Sequence, residues 1–232
     1  MNKQILKCIV LFTLILSMVA GVLSFTSCNR SINEEEVLTN AKELLQRAEV
    51  LNQVYYGKGI EYNKVSSLQN GAYYDADPTH LSKLGFSTIE ELKVLTERTF
   101  TVEYSIQLYS TILSPLTVDD VTVALARYYQ KYEGDNIYGE PVCIMVYSQF
   151  NVLFYDTISY DYSSLRVKGV KGEVVTVAVD ATTVNSEGKS QDVVIDIQLI
   201  EENDGWRIDN HTWANYNPYA ERLEELEKEE LK

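Results

Sequence analysis

From Lys171 to Asp209 apolar and polar residues alternate along the chain, and no other feature restricts the fold as tightly. "KGEVVTVAVDATTV" (171–184) changes face at almost every step. Side chains of an extended strand point to opposite faces, so this period of two is the mark of a strand with one face buried. In "QDVVIDIQLIEENDGWRID" (191–209), Val193, Ile195, Ile197 and Leu199 share one face, while Asp196 and Gln198 point the other way. Asp204-Gly205 supplies a turn between two such runs, the signal of an antiparallel hairpin. Enrichment in β-branched and aromatic residues begins near Ile137 and runs through "PVCIMVYSQFNVLFYDTISYDYSSLRVKGV". A sheet of this kind has one greasy face, and something must cover it.

The first half supplies the cover. Asn33-Glu34-Glu35-Glu36 has the form of a helix cap, and Val37, Ala41, Leu44, Leu45, Ala48, Leu51 and Tyr55 follow at helical spacing until Gly57 and Gly59. Residues 56–85 read as irregular, punctuated by Gly71, Pro78 and Gly85, with short strands or turns. Ser87-Thr88-Ile89-Glu90 reads as a second cap, opening a helix with Ile89, Leu92, Val94 and Leu95. A third helix is expected over about 102–113, with Ile106, Tyr109 and Leu113 as its stripe. Beyond Pro115, Thr117-Val118-Asp119-Asp120 reads as a further helix start, continued by Val121, Leu125 and Tyr128.

Helices followed by hairpin-rich strands argue an α+β domain: N-terminal helices, then an antiparallel β-sheet. The expected organisation is a leader over 1–28, a linker over 29–36, the α+β domain over 37–218 and an acidic helix or tail over 219–232. Within the domain the helical part spans about 37–132 and the β part about 137–213.

The leader carries Lys3 and Lys7, then an uncharged run from Ile9 to Phe25. This is the form of a secretory signal peptide, and the run is also just long enough for a retained membrane helix. "LSFTSC" (23–28) resembles a bacterial lipoprotein processing site, in which the cysteine becomes the acylated N-terminus; Phe25 departs from the usual Leu or Val at its position. Three outcomes stay open: lipoprotein with Cys28 carrying a palmitate-type anchor, uncleaved anchor, or plain secretion. In each the domain works outside the cytoplasm, and with Cys28 lipidated it sits on the outer face of the cytoplasmic membrane.

After Cys28 the chain holds all 34 acidic residues against 18 basic ones, a net charge of −16. That charge argues against nucleic acid, anionic lipid surfaces and polyanionic wall polymers, and favours either cationic partners or simply solubility. Cys143 is the single cysteine left in the mature part, so no internal disulfide framework is available.

The residues offer little for catalysis. Cys143, with His211 or His80 as base, sits in the apolar run "PVCIMVYS", a poor place for a thiolate, and reads as core. "DADPTH" brings Asp75, Asp77 and His80 close in sequence without a metal-type spacing, and reads as a turn. No phosphate-binding loop is present, and no cofactor or metal is expected. The compositional bias is tyrosine. Of 17, five fall at Tyr55, Tyr56, Tyr62, Tyr73 and Tyr74, next to Asp75 and Asp77. Together these seven residues are expected to form an acidic, aromatic patch suited to a basic protein cleft or a sugar face.

Two resemblances add to this. "VVIDIQLIEENDGWRID" is similar to the last hairpin of small cone-shaped α+β domains of the nuclear-transport-factor-like type, found in bacterial lipoproteins. That likeness implies a deep apolar pocket in the sheet's concavity and a small-ligand-binding role. "LLQRAEVLNQVYYGKG", then "YYDADPTHLSKLGFSTIEELKVLTERTFTVEYSIQLYSTI", then "DGWRI" resembles, in order and pattern, the secreted family that inhibits cell-wall DL-endopeptidases. It implies a globular helical part carrying a β region and tight docking on a peptidase cleft. Taken with the leader and the residues, the chain is expected to be a bacterial envelope protein, of the Gram-positive kind, with no enzymatic activity of its own, whose partner is a wall peptidase or another envelope protein.

Overall fold

The computed structural model describes residues 32–68, 71–118, 121–135, 137–149, 157–184, 188–202 and 204–212. The expected leader with Cys28, and the expected acidic helix or tail at 219–232, lie outside the described residues. Among those described, no helix is long and apolar enough to cross a membrane.

Helix α1 (Glu34–Tyr55) starts where Asn33 Oδ1 accepts the Glu36 amide, with three glutamates at its positive end. Its buried stripe contains all seven expected positions, from Val37 to Tyr55, with Asn52 and Val54 added near the end. Strands β1 (Tyr62–Leu68) and β2 (Tyr73–Ala76) follow, then the short helix α2 (Pro78–Leu84). Helix α3 (Ile89–Glu97) is capped one residue later than its sequence suggests. Thr88 Oγ1 accepts the Glu91 amide, and the Glu91 carboxylate accepts from the amide and hydroxyl of Ser87.

Helix α4 (Val102–Ile112) buries Ser105, Leu108 and Ile112 rather than the expected Ile106, which is exposed. Spacing cannot choose between adjacent stripes of one helix. The choice is made by the chain just before it: Phe100 forms a parallel bridge with Ile208, and the Thr101 amide donates to the Ile208 carbonyl at 2.9 Å.

The helix expected after Pro115 is a β-hairpin instead, β3 (Leu116–Val118) with β4 (Val121–Ala124). Acidic residues mark turns as readily as helix starts, and the β-branched run on both sides of Asp119-Asp120 decides for strands. Strands β5 (Tyr128–Tyr132), β6 (Pro141–Tyr147), β7 (Thr157–Lys171), β8 (Val174–Val184), β9 (Ser190–Glu202) and β10 (Gly205–Ile208) complete the order.

The class is α+β, with the described strands in two antiparallel four-stranded sheets, ordered β1-β2-β6-β5 and β10-β9-β8-β7, and the separate β3-β4 pair. The first sheet takes two strands from before helices α2–α4 and two from after, so helices and strands are less segregated than the sequence suggests. The second is a continuous meander. Val175, Val177, Val179, Ala181, Ile195, Ile197 and Leu199 line its inner face and join α1 in one core. Burying each of these larger aliphatic side chains stabilises the fold by about 2 kcal/mol. On the outer face Lys168 meets Asp196 and Arg166 meets Asp180, so polar pairs alternate with core residues as the period of two requires.

Candidate interaction surface

The pleat of β2 divides the tyrosine-rich segment between two faces. On one face lie Tyr73, Asp75, Tyr129, Lys131, Cys143, Met145 and Tyr147, as the strand registers require. Tyr73 is buried there, edge-on to Tyr129 at 4.8 Å, with its hydroxyl donating to the Ala126 carbonyl at 2.6 Å. The opposite face carries Tyr62, Tyr74, Ala76, Tyr128, Ile144 and Val146. Tyr62 and Tyr74 stack at 5.3 Å with planes 13° apart, both partly exposed.

The single seven-residue patch expected from the sequence is therefore not formed. Tyr55, Tyr56 and Tyr73 are core residues, because the end of α1 and the middle strand β2 turn them inward. The Tyr55 hydroxyl is hydrogen-bonded to Thr96 Oγ1 at 2.8 Å, and Tyr56 packs edge-on to His211 at 5.5 Å. Asp77 serves as the cap of α2. Its Oδ1 accepts the Thr79 and His80 amides, which hold the carboxyl below its usual range. Asp75 Oδ1 lies 3.7 Å from the Cys143 sulfur. Of the expected patch, Tyr62, Tyr74, Asp75 and Asp77 stay partly exposed, and of these Tyr62 and Tyr74 form a stack.

The potentially reactive groups are tied to structural partners. Cys143 is half-buried rather than fully in the core, and its thiol also lies 3.7 Å from Met145 Sδ. Burial and the Asp75 carboxylate push that thiol up, which keeps it protonated, against the needs of a nucleophile. His80 Nδ1 accepts the Glu61 amide at 2.9 Å. His211 sits against Tyr56, with Nδ1 at 3.4 Å from the Tyr104 hydroxyl. Among the described residues no group of three or more His, Cys, Asp or Glu could hold a metal ion.

Two buried arginines escaped the sequence reading. Arg127 donates to the carbonyls of Val54 (3.0 Å), Tyr55 (3.2 Å) and Gly57 (2.7 Å), closing the carboxyl end of α1. Arg207 Nε donates to the Glu97 carbonyl at 2.7 Å at the end of α3, and Nη2 pairs with Asp204 at 2.7 Å. Each places a cation at a helix's negative end, where it is electrostatically favoured. Neither position has a local sequence signal, because the helix it caps lies far away along the chain.

Two further surface features remain. A shallow cleft of about 340 Å³ lies between α1, α2 and α3, lined by Glu43, Gln46, Arg47, Val50, Leu84 and Leu95. Its one guanidinium already donates to the Arg98 carbonyl and Glu43. The second feature is the loop joining β5 to β6. It leaves β5 through a 3-10 turn at Glu133–Asp135, with Gly134 at φ +67°, and closes when the Glu133 amide donates to the Glu140 carbonyl at 2.9 Å. Ile137 is 72% exposed, Tyr138 89% and the neighbouring Val142 58%.

No protein-family model, no curated protein and no solved structure matches this chain.

Proposed function

We propose that this chain is a non-enzymatic, extracytoplasmic protein tethered to the membrane through Cys28, and that it binds a protein of the cell envelope. In its most concrete form, it inhibits a cell-wall DL-endopeptidase by occluding the cleft that receives the wall peptide. The observation that carries this reading is the Tyr62–Tyr74 stack, partly exposed on the two strands at one side of the first sheet. Two rings already held against each other lose little entropy on docking and present apolar area together with hydroxyls. The net charge of −16 after Cys28 favours a basic partner and speeds encounter with one.

The engagement of Cys143, His80 and Asp77 in the fold supports a binding role over a hydrolytic one. The inner face of the β7–β10 sheet is filled by the domain's own core, which weighs against a small-ligand pocket in its concavity.

The test is direct binding, by surface-immobilised kinetics, between the full chain in mild detergent and purified wall endopeptidases. Replacing both Tyr62 and Tyr74 by Ala is expected to weaken binding about tenfold or more. Absence of binding by the unaltered chain to every peptidase tried would refute the inhibitor reading. Mass spectrometry of the membrane fraction, comparing the native protein with a Cys28→Ala variant, tests the tether.

A further inference from the structure

We propose that the outer stripe of α4 is a self-association surface, through which two copies of this chain pair by antiparallel packing of their α4 helices. The inference goes beyond the inhibitor reading and does not depend on it.

α4 carries two apolar stripes, and the fold buries the less apolar one. Ser105, Leu108 and Ile112 face the core, and Ser105 Oγ is buried with no hydrogen-bond partner among the described residues. On the other stripe Val102 is 56% exposed and Ile106 61%, with Tyr109 and Leu113 half-buried. A helix that is apolar on more than one face is ordinarily covered on each. Val102, Ile106, Tyr109 and Leu113 recur at steps of four, three and four, the spacing of a seam between paired helices. Tyr109 is held in place from α3: its hydroxyl donates toward the Lys93 carbonyl (3.1 Å) and the Glu97 carboxylate (2.9 Å). The ring is therefore fixed before any contact, and docking costs it little further ordering.

Spacing and charge choose the occupant. Steps of four, three and four read the same from either end. A second α4 laid antiparallel therefore sets Val102 against Leu113 and Ile106 against Tyr109 in both halves of a two-fold interface. Glu103 is the one charged residue on α4, and in this register it faces Ser110 of the other copy rather than a second carboxylate. Neighbouring carboxylates are engaged by the fold: Glu202 Oε1 lies 3.4 Å from the Val102 amide, and Glu97 accepts from Tyr109. A basic partner would find Glu103 as the sole carboxylate on the helix, whereas a second copy offers the matching apolar seam. Four residues from each copy make an interface below the roughly 1,200 Å² at which stable complexes begin, so association is weak, on the order of tens of micromolar. The net charge of −14 opposes approach of two copies, so association tightens as salt screens that repulsion.

Sedimentation velocity of the full chain in mild detergent, from low micromolar to several hundred micromolar and at low and high salt, tests this. The unaltered protein is expected to pass from monomer to dimer as concentration rises, and more readily at high salt. Ile106→Asp sets a carboxylate into each half of the seam and is expected to weaken association by about a hundredfold. Ser110→Lys sets an ammonium against Glu103 of the other copy and is expected to tighten association about threefold at low salt. Val194→Ser, at an exposed apolar position on β9, is the control and leaves association unchanged. At low micromolar concentration the unfolding midpoint of all three variants should stay close to that of the unaltered protein, because each substituted side chain is exposed. A marked fall for Ile106→Asp alone would show that the chain covers this stripe itself, and would overturn the proposal. So would a chain that stays monomeric throughout, dimers that Ile106→Asp leaves intact, or association that weakens as salt rises. Looser association of Ser110→Lys would overturn the antiparallel register. None of these results bears on inhibition of a peptidase, which is measured separately.

Discussion

Gly59 lies against Arg127: a Cβ at position 59 would stand 2.2 Å from Arg127 Nη2, and equally close to the Tyr128 hydroxyl. Gly59 has φ +78°, a left-handed conformation that costs a residue with a side chain about 1–2 kcal/mol. The close approach lets Arg127 reach three carbonyls at the end of α1, while Tyr128 Oη donates to Val54 and accepts the Ile60 amide. Gly59→Ala is therefore expected to destabilise the domain by about 3 kcal/mol or more, since backbone strain adds to displacement of the cap. Denaturant unfolding checks this.

Arg127 gives a sharper version of the same test. Arg127→Met keeps the apolar stem and strands the Tyr55 and Gly57 carbonyls, while Val54 keeps Tyr128 Oη as a donor; this is one of the larger losses available to a single change, about 3 kcal/mol. Arg127→Lys is expected to recover only part of it, because an ammonium lacks the planar fork that reaches several acceptors together. Equal stability of the Lys variant and the unaltered protein would show that charge at the helix end matters and the fork does not.

Glu49 on α1 is half-buried beside Tyr162, whose hydroxyl finds no partner of good geometry among the described residues. Burial raises the Glu49 carboxyl above its usual range, and the neighbouring Tyr162 hydroxyl partly offsets this. A carboxyl raised on folding binds more protons in the native state, so its contribution to stability falls as pH rises from the ordinary glutamate range through the raised native value. Glu49→Gln removes that dependence. The difference in stability between variant and unaltered protein should move in favour of the variant across that window and level off above it. A difference that does not change with pH would contradict the assignment.

Cys143 should alkylate slowly at mildly alkaline pH compared with a cysteine in a short peptide, because burial and Asp75 keep the thiol protonated. Asp75→Asn is expected to speed the reaction and shift its pH profile downward. An unchanged profile would remove Asp75 from the account of this thiol.

The legibility of the sequence varied with the length of its patterns. The stripe of α1 and the face of β9 carrying Ile195, Ile197 and Leu199 follow directly from spacing, because each repeats a period over several turns or steps. The β3–β4 hairpin did not, since Asp119-Asp120 fits a helix start and a turn equally well and the surrounding run is short. Tyrosine density between Tyr55 and Tyr74 suggested one surface, yet the pleat of β2 sends Tyr73 and Tyr74 to opposite faces, and the end of α1 turns Tyr55 and Tyr56 into the core. Arg127 and Arg207 were invisible because each acts on a helix end supplied by distant chain.

Steady-state inhibition tests the central claim most directly. With the full chain titrated into a wall DL-endopeptidase acting on a soluble wall peptide, occlusion predicts that KM rises with inhibitor concentration while kcat stays constant. Unchanged kinetics at micromolar excess, or a fall in kcat with KM unaltered, would contradict it.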